Sequence, residues 1–526
     1  MSAGPVLAVR WRIAPGLVCL AGAALTALSG CQAARAIRDP EYAPLAALPS
    51  TAIISEASVV SATMPQAPSL AGPHPVDEYV AIALAQNPQV QAKRKRVEAA
   101  ALRIPQAASL KDPMLDATGY PFFPNVPQTA SGRKTVDLMV SQEVPWPGKL
   151  GTQGDMAEAE TNMARAELVA AELEVVEQVK RAYYELYFVQ KSIEITEESR
   201  RLAVRLRELV EPKVKTGASL QDLYRVELQV LDFDNDLIRL RQELQSGQAR
   251  LARLLHVSPD TPLRALPTLS EAASSGELQQ LYQQAILARP ELHAQLAAVQ
   301  RDRFATDLSR LQYYPDVRFD FGWGEMTTSK ALAPTADGID DLSIGLAANI
   351  PIYRQRLDAG VREAEAKAVA SAREYDDLRD RTQEEVKDLF AQATSQQAML
   401  QLFRRDIVPK AEQTLELSIA AYTAQKVDIL QVIDNWQQLL RYQIAQQRLE
   451  AQLRQTLATL ERVVGGILPS PPPQPPDEAV PAPPPEGAAR TRNQTDSPAW
   501  PLVSPSPSGH VGAAVHGRPS DAGTRG

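Results

Sequence analysis

Hydrophobic positions in the middle of the chain recur at helical spacing over unusually long tracts. The first tract runs from about residue 152 to 210 with almost no glycine or proline. Its clearest stripe consists of apolar residues three or four positions apart: Val175, Val179, Ala182, Leu186 and Val189. This spacing indicates one face of an α-helix, and at 1.5 Å per residue the tract would extend about 90 Å. A break at 212–217 and a second helix from about 218 to 256 are predicted to follow.

The same order of elements occurs twice along the chain. Equivalent dipeptides stand 202 and 206 positions apart: Asn87-Pro88 with Arg289-Pro290, and Val144-Pro145 with Ile350-Pro351. The second copy predicts a helix from about 356 to 422, a break near 423–426 and a further helix to about 466. Solenoid repeats are only about 20–50 residues long, so each copy is predicted to be a whole helix–strand–strand–helix layer. Helices of this length are typical of coiled-coil rods or the staves of a tube.

Each copy also contains two short segments that alternate between apolar and polar residues. The clearest is 317–324, in which Val317, Phe319, Phe321 and Trp323 form one face and the residues between them are polar or small. The other three predicted strands are 342–350, 136–144 and the weaker 114–122, which is interrupted by glycine and proline.

Two structures fit this alternation. One is a soluble antiparallel sheet with a single face on a core. The other is a lipid-facing wall whose apolar side chains point outward and whose small or polar ones line a wet interior. Strands of about ten residues suit a tilted membrane crossing. Four strands cannot close a barrel, since about eight are needed, so membrane insertion would require an oligomer.

The first 31 residues have the form of an export signal. Basic residues precede an apolar segment, which ends at Leu28-Ser29-Gly30-Cys31. This pattern is typical of a bacterial lipobox and predicts lipidation of Cys31; the alternative is an ordinary signal peptide with a chance cysteine. Gln32, in place of an aspartate, favours the outer membrane. Cys19 lies in the segment to be removed, so no disulfide is expected within the mature chain.

The remaining chain divides by composition. The predicted segments are a lipoprotein signal peptide (1–30), a lipidated spacer (31–75), the first repeat (76–258), a linker (259–276), the second repeat (277–467) and a Pro-rich tail (468–526). A tail of this composition cannot bury enough surface to offset chain entropy. A solvated tail is therefore favoured over a docking segment.

Charge and motif content exclude several functions. The 526-residue chain has a net charge of −8, which gives no basic footprint for nucleic acid. Its five histidines show no metal-ligand spacing, and no phosphate loop, nucleophile elbow or zincin motif is found. We therefore expect no enzyme activity, cofactor or dedicated metal site. Beyond the signal, no apolar run of about 18 residues predicts a transmembrane helix.

Taken together, the lipobox, the doubled helix–strand–strand–helix order and the stretches that follow the second strand of each copy resemble the TolC-like outer-membrane efflux family. Those stretches are Gln142-Glu143-Val144-Pro145-Trp146-Pro147-Gly148-Lys149 and Asn349-Ile350-Pro351-Ile352-Tyr353. The resemblance covers residues 76–466. It implies a mainly α fold with a small β part, in which a homotrimer forms a 12-stranded β-barrel continued by a long α-helical periplasmic barrel. It also implies a passive duct that docks onto a membrane-fusion adaptor and an inner-membrane RND-type pump.

By the same resemblance, the functional positions lie at the two helix–turn–helix tips, 213–222 and 422–434. The candidates are Lys215, Gly217 and Asp222 in the first tip and Tyr422, Gln425, Asp428 and Asp434 in the second. Gln425 stands where the family often has glycine. A threefold ring of Asp434 carboxylates would bind cations and repel anions; alternatively, Asp434 and Asp428 are solvated charges. Tyr422 is either a closure element or a core tyrosine.

The cargo is the least determined feature. The Pro-Trp-Pro-Gly-Lys stretch and the tip at Gly217-Ala218-Ser219 resemble members that serve heavy-metal pumps, so metal cations are favoured over drugs, with type I secretion as a further alternative. A different class is a periplasmic lipoprotein adaptor or scaffold without a barrel. Adaptors usually carry one helical hairpin flanked by lipoyl-like domains, whereas this sequence predicts two hairpins and four short strands.

Overall fold

A computed structural model describes residues 70, 72–120, 127–215, 219–269, 276–424 and 426–468. The predicted signal peptide, Cys31, most of the spacer and nearly all of the Pro-rich tail lie outside these ranges. The elements in chain order are β1 (Gly72–His74), α1 (Val76–Gln86), α2 (Pro88–Ala108), β2 (Met114–Gly119), β3 (Gln128–Thr129), β4 (Gly132–Val144), α3 (Lys149–Lys215), α4 (Leu220–Leu255), β5 (Leu263–Ala265), α5 (Leu278–Ala288), α6 (Pro290–Leu311), β6 (Val317–Thr327), β7 (Asp341–Ala348), α7 (Arg354–Leu402), α8 (Val408–Thr423) and α9 (Ile429–Val464). The fold is mainly helical, as predicted.

The long helices confirm the predicted periodicity, but their course at two prolines differs from the prediction. Helix α3 continues through Pro212 to Lys215, because a proline in the last turn interrupts only the final backbone bonds. The single helix predicted over 356–422 is instead two helices joined by a π turn at Phe403–Ile407. Pro409 cannot donate a backbone bond, and the π turn widens the helix just before it, with the Val408 N–H bonded to the carbonyl of Phe403.

The four longer predicted strands form one antiparallel sheet in the order β2-β4-β6-β7, with β3 also paired to β4. A bulge between Lys134 and Val136 shifts the register of β4 against β6. Strands β2 and β7 are the two ends of this path, and within the described chain each pairs along one side only. The sequence did not predict the short parallel pair β1-β5, whose three-residue strands carry no periodic signal.

Each copy has its own core, built from equivalent positions. Ala83 and Val179 are fully buried in the first copy, and Ala285 and Val386 are buried at the matching places in the second. Helix α3 joins the copies, because it packs against α2 and α4 of its own copy and against α6 and α9 of the other. No helix in the described ranges combines the length and apolar character needed to cross a membrane.

The bends that open the two copies share one backbone geometry. Asn87 and Arg289 have φ, ψ near −62°, 123° and −65°, 119°, respectively, and each precedes the proline that starts α2 or α6. Asn87 caps its helix by accepting the Gln89 N–H at 2.9 Å, and it donates to the carbonyl of Leu254 at 2.9 Å. Both side chains are nearly buried, so the bends are fixed points of the fold.

Candidate functional site

The two helical tips pack against each other through a shared apolar cluster. Phe233 of α4 and Trp436 of α9 lie at its centre, with their rings 5.5 Å apart. Its buried members come from α3, α4, α8 and α9: Ala203, Leu206, Val210, Val226, Phe233, Val408, Leu415, Ile429, Val432, Ile433, Trp436 and Leu439. A hydrogen bond of 2.7 Å from Gln437 to Gln229 also crosses between the hairpins. The tips therefore form one unit.

Two of the predicted tip residues, Asp222 and Asp428, meet at an arginine that the sequence reasoning missed. The guanidinium of Arg225 lies 4.0 Å from Asp222 of its own hairpin and 4.0 Å from Asp428 of the other. Tyr422 is half-buried beside them. Burial raises the pKa of its hydroxyl, and the negative charges of Asp222 and Asp428 raise it further. The three-residue spacing of Asp222 and Arg225 on one helix was a usable signal for this ion pair.

Asp434 lies apart from that cluster. It is exposed on α9, and the Asp428 carboxylate, which is also exposed, caps the start of that helix by accepting the Ile429 N–H at 2.7 Å. No ion pair to Asp434 exists among the described residues. The structure thus groups Asp222, Asp428 and Tyr422, and leaves Asp434 as a free carboxylate one turn and a half further on. Gln425 and Gly217 fall outside the described residues, as does the Lys215 side chain.

The sheet has two chemically distinct faces, as the alternation predicted. Paired rows such as Val140–Phe321–Ile344 place apolar side chains together on one face. Large side chains on this face are solvent-exposed: Leu115, Val140, Phe319, Phe321, Leu342, Ile344 and Leu346. An exposed apolar surface of this extent marks an interaction or membrane surface.

The opposite face carries mainly polar and small side chains. Its residues include Asp116, Asp137, Ser141, Asp320, Asp341 and Ser343, with glycines between them. The Lys134 ammonium lies 3.0 Å from Asp137 and 3.7 Å from Asp341. A side chain at Gly324 would clash with Lys134. The glycine therefore leaves space for the Lys134 side chain to extend across the polar face.

The Pro-Trp-Pro-Gly-Lys stretch builds the junction between sheet and helices. Lys149 is almost fully buried and forms an ion pair of 2.7 Å with Asp316 of the second copy. Asp316 also accepts the Trp146 N–H at 2.8 Å, and the Trp146 ring stacks on Tyr314 at 5.0 Å. In the sequence, this stretch only marks the resemblance to the family. Asp316, the ion-pair partner of Lys149, stands 167 positions away, so no local sequence pattern predicts the contact.

The described ranges contain no group of three histidine, cysteine, aspartate or glutamate side chains placed to hold a metal ion. The arrangement therefore consists of an exposed two-faced sheet, long helices and a polar tip.

This arrangement matches an efflux fold. The model of the outer membrane efflux protein family matches residues 80–256 and 281–466, and the chain belongs to that family. Among relatives, the cobalt-zinc-cadmium resistance protein CzcC of Cupriavidus metallidurans is 22% identical over 398 residues, which are 75% of this chain and 91% of that protein.

Solved structures of similar fold are also membrane proteins. The outer-membrane channel OprN has a TM-score of 0.63 at 19% identity, covering 74% of this chain and 90% of its own. CusC has a TM-score of 0.63 at 18% identity over 74% and 92%. VceC of Vibrio cholerae has a TM-score of 0.63 at 20% identity over 75% and 97%. At these identities the likeness establishes the fold.

Proposed function

We propose that the protein is the exit duct of a tripartite efflux system, which passively carries its cargo from an inner-membrane pump across the periplasm and the outer membrane. The observation that carries this proposal is the exposed apolar face of the sheet, which lies directly behind a polar face. A soluble sheet would bury its apolar face against a core, whereas an outer-membrane barrel turns that face to lipid and its polar face to water.

The outer sides of β2 and β7, which are unpaired within the described chain, support a homotrimer. Three copies would contribute twelve strands if the free side of β2 paired with the free side of β7 in the next copy. Strand β6 has 11 residues; at about 3.3 Å per residue and a tilt of about 45° it rises about 25 Å, the height of the apolar band of such barrels. The long helices below would then form the periplasmic tube and dock onto a membrane-fusion adaptor.

In this trimer the tips surround the periplasmic aperture. Asp434, exposed and unpaired within the described chain, would supply a ring of three carboxylates that favours cations. Asp222, Arg225 and Asp428 would hold the two hairpins of each copy together, with Tyr422 packed behind them. Lys215, Gly217 and Gln425, the remaining candidates from the sequence, are proposed to contact the adaptor.

Heavy-metal cations are the proposed cargo, in preference to drugs. Two observations support this choice: the carboxylates on the polar face of the sheet, Asp116, Asp137, Asp320 and Asp341, and the relationship to a cobalt-zinc-cadmium resistance protein. Acylation of Cys31 is proposed to anchor the chain to the outer membrane.

One strain set tests the proposal. A deletion strain is complemented with wild type, Asp434→Asn or the matched control Asp155→Asn, an exposed carboxylate on helix α3, and growth is measured against cobalt, zinc, cadmium and hydrophobic drugs. We expect wild type and the control to restore metal tolerance and Asp434→Asn to restore less. Restored drug tolerance alone would overturn the metal assignment.

Fractionation of the same strains tests the duct itself. We expect a trimer in the outer membrane that requires detergent for release. A monomer released without detergent after the anchor is removed would instead indicate an adaptor or scaffold, and loss of an exported protein without a change in tolerance would indicate a secretion duct.

A further inference from the structure

The base of the sheet, where its four long strands meet the helices, carries exposed aromatic and apolar side chains of its own. Trp146 follows β4, Tyr314 precedes β6, and Ile352 and Tyr353 follow β7. Their exposed fractions are 36%, 48%, 65% and 71%, respectively. We refer to these four residues, together with Arg354 and Arg356, as the collar.

Hydrogen bonds to a single ion pair hold two residues of the collar in place. The Asp316 carboxylate accepts the Trp146 N–H, and its ion-pair partner Lys149 donates to the carbonyl of Tyr314 at 3.1 Å. The same partly buried ion pair therefore fixes the backbone of both Trp146 and Tyr314, whose rings stack within 14° of parallel. Two large rings are held rigidly in an exposed position, which requires a partner surface to be favourable.

The chemistry of the collar changes stepwise along the strand direction. Above it lies the mostly apolar face of the sheet. At its level stand tryptophan and tyrosine, which combine an apolar ring with a polar edge. Immediately below, Arg354 lies over the Tyr313 ring at 5.5 Å, and Arg356 is exposed. Neither guanidinium forms an ion pair within the part of the chain that the structure describes.

This order matches the order of layers at a membrane boundary. Tryptophan and tyrosine accumulate at headgroup level, and arginine places its charge at the polar edge while its stem covers apolar surface. We propose that the collar binds the anionic phospholipid headgroups of the periplasmic leaflet and fixes the height at which the sheet sits in the bilayer. The inference rests on the proposed function, since it requires the sheet to be in the membrane.

Tryptophans at three heights provide the test. Trp323 lies within the sheet, Trp146 in the collar and Trp436 in the helical tip. The full-length protein is placed in phosphatidylcholine vesicles that contain phosphatidylglycerol, and fluorescence quenching is measured with lipids brominated at mid-chain and with lipids that carry a headgroup nitroxide. All variants carry W500F, and Trp11 is lost with the proposed signal peptide. Subtracting the W146F/W323F variant from W323F then isolates Trp146, subtracting it from W146F isolates Trp323, and the W146F/W323F variant itself reports Trp436.

We expect Trp323 to be quenched more by mid-chain bromine and Trp146 more by the headgroup nitroxide, with Trp436 insensitive to both. Failure of lipid to quench Trp323 would overturn the proposed function. Normal quenching of Trp323 with none of Trp146 would overturn the collar alone and indicate that a protein covers it. Each variant is first checked for the same oligomer as wild type.

The arginines give an independent measurement on the same sample. Quenching of Trp146 by brominated phosphatidylglycerol diluted into phosphatidylcholine reports the preference for anionic lipid. We expect R354Q/R356Q to lower that preference by up to about fivefold per arginine. The matched control R373Q/R381Q, two exposed arginines further along the same helix, should leave it unchanged. Equal preference in both double variants would contradict recognition of anionic headgroups.

Discussion

The two copies of the repeat bend their short helices in the same way but hold the bend with different side chains. In the first copy, Asn87 binds the end of α4 through the carbonyl of Leu254. In the second, Arg289 reaches sideways to α7, where it contacts Thr382 and Glu385, each at 3.0 Å. A short neutral side chain in the first copy and a long cationic one in the second thus stabilise the same backbone geometry. The repeat conserves backbone positions and leaves the polar chemistry free to diverge.

The helix ends opposite these bends also share a backbone conformation but use different residues. The chain leaves α4 through His256 and leaves α9 through Gly465, both in the left-handed region with φ of 55° and 84°. A Cβ at Gly465 would stand 2.5 Å from the backbone of Ala288. The second copy is therefore packed more tightly at this end than the first.

The largest effect is expected from substitutions at these two helix ends. Gly465→Ala forces a side chain into the backbone of Ala288 and should lower the free energy of unfolding by about 3 kcal/mol or more. His256→Gly, the matched change, should alter it by less than about 1 kcal/mol, because glycine adopts this conformation without strain but adds chain entropy. Chemical unfolding followed by circular dichroism measures both. Equal losses would contradict the tighter packing of the second copy.

The next effect concerns the junction that has no repeat equivalent. Lys149→Met leaves Asp316 partly buried without its cation and should cost about 3 kcal/mol. Gln355 occupies the equivalent position in the second copy and is exposed, so Gln355→Met should cost less than about 0.5 kcal/mol. The thermal unfolding midpoint of each purified variant reports the difference. A comparable loss for Gln355→Met would contradict the inference that only the first copy is stabilised by an ion pair at this position.

Substitution at the bends sharpens the comparison further. Arg289→Met removes two ion pairs and a hydrogen bond but leaves partner carboxylates that reach solvent, so a loss of about 2 kcal/mol is expected. Asn87→Ala removes one cap and one bond to a carbonyl, for a loss of about 1–2 kcal/mol. Increased salt should reduce the arginine effect and not the asparagine effect. This salt series, run on the unfolding assay, decides whether the two bends differ in kind.

The smallest effect is a dependence on pH that arises from one exposed ion pair in the first hairpin. Arg200 binds Asp234 between α3 and α4 at 2.6 and 3.2 Å. In the second hairpin, Gln443 donates to Glu412 at 3.3 Å, and the ion pair of 2.8 Å from Arg404 reaches a glutamate, Glu450, that is nearly buried. The bond from Arg200 lowers the pKa of Asp234. A lowered folded pKa means that the stabilisation is present above the ordinary aspartate pKa of about 3.9. It is lost as pH falls through the folded pKa.

Asp234→Asn should therefore lower the unfolding midpoint slightly at neutral pH and not at the acid limit. The effect is small because the pair is exposed. Gln443→Glu supplies the contrast, since it places a second carboxylate beside Glu412. A difference between wild type and Asp234→Asn that persists unchanged at acid pH would contradict the assignment.

Periodic patterns predicted the parts of this fold that depend on neighbouring residues. The stripe through Val175 and Val179 and the alternation through Phe319 and Phe321 gave the long helices and the two-faced strands, because each pattern repeats along a single element. The family model confirmed the outer-membrane efflux assignment. The π turn before Pro409 was missed, since a proline signals a break without specifying how the helix accommodates it.

Long-range polar contacts were beyond the sequence. Nothing near Lys149 points to Asp316, and nothing near Asp428 points to Arg225, because these pairs form only when the two copies pack. The predicted tip residues were located by resemblance, and the structure then separated Asp434 from the cluster around Arg225. The roles of Cys31, Gln425 and Gly217 remain predictions.

The two free sides of the sheet belong to different strands, β2 and β7, and this has a genetic consequence for the proposed trimer. Contact between copies would be heterologous, with one copy offering the side that its neighbour lacks, so the ring closes only when every copy carries both. A variant blocked on one side, for example by a proline in β7, would still pair through the other and leave the ring open. Such an allele should therefore be dominant when it is expressed together with the wild type.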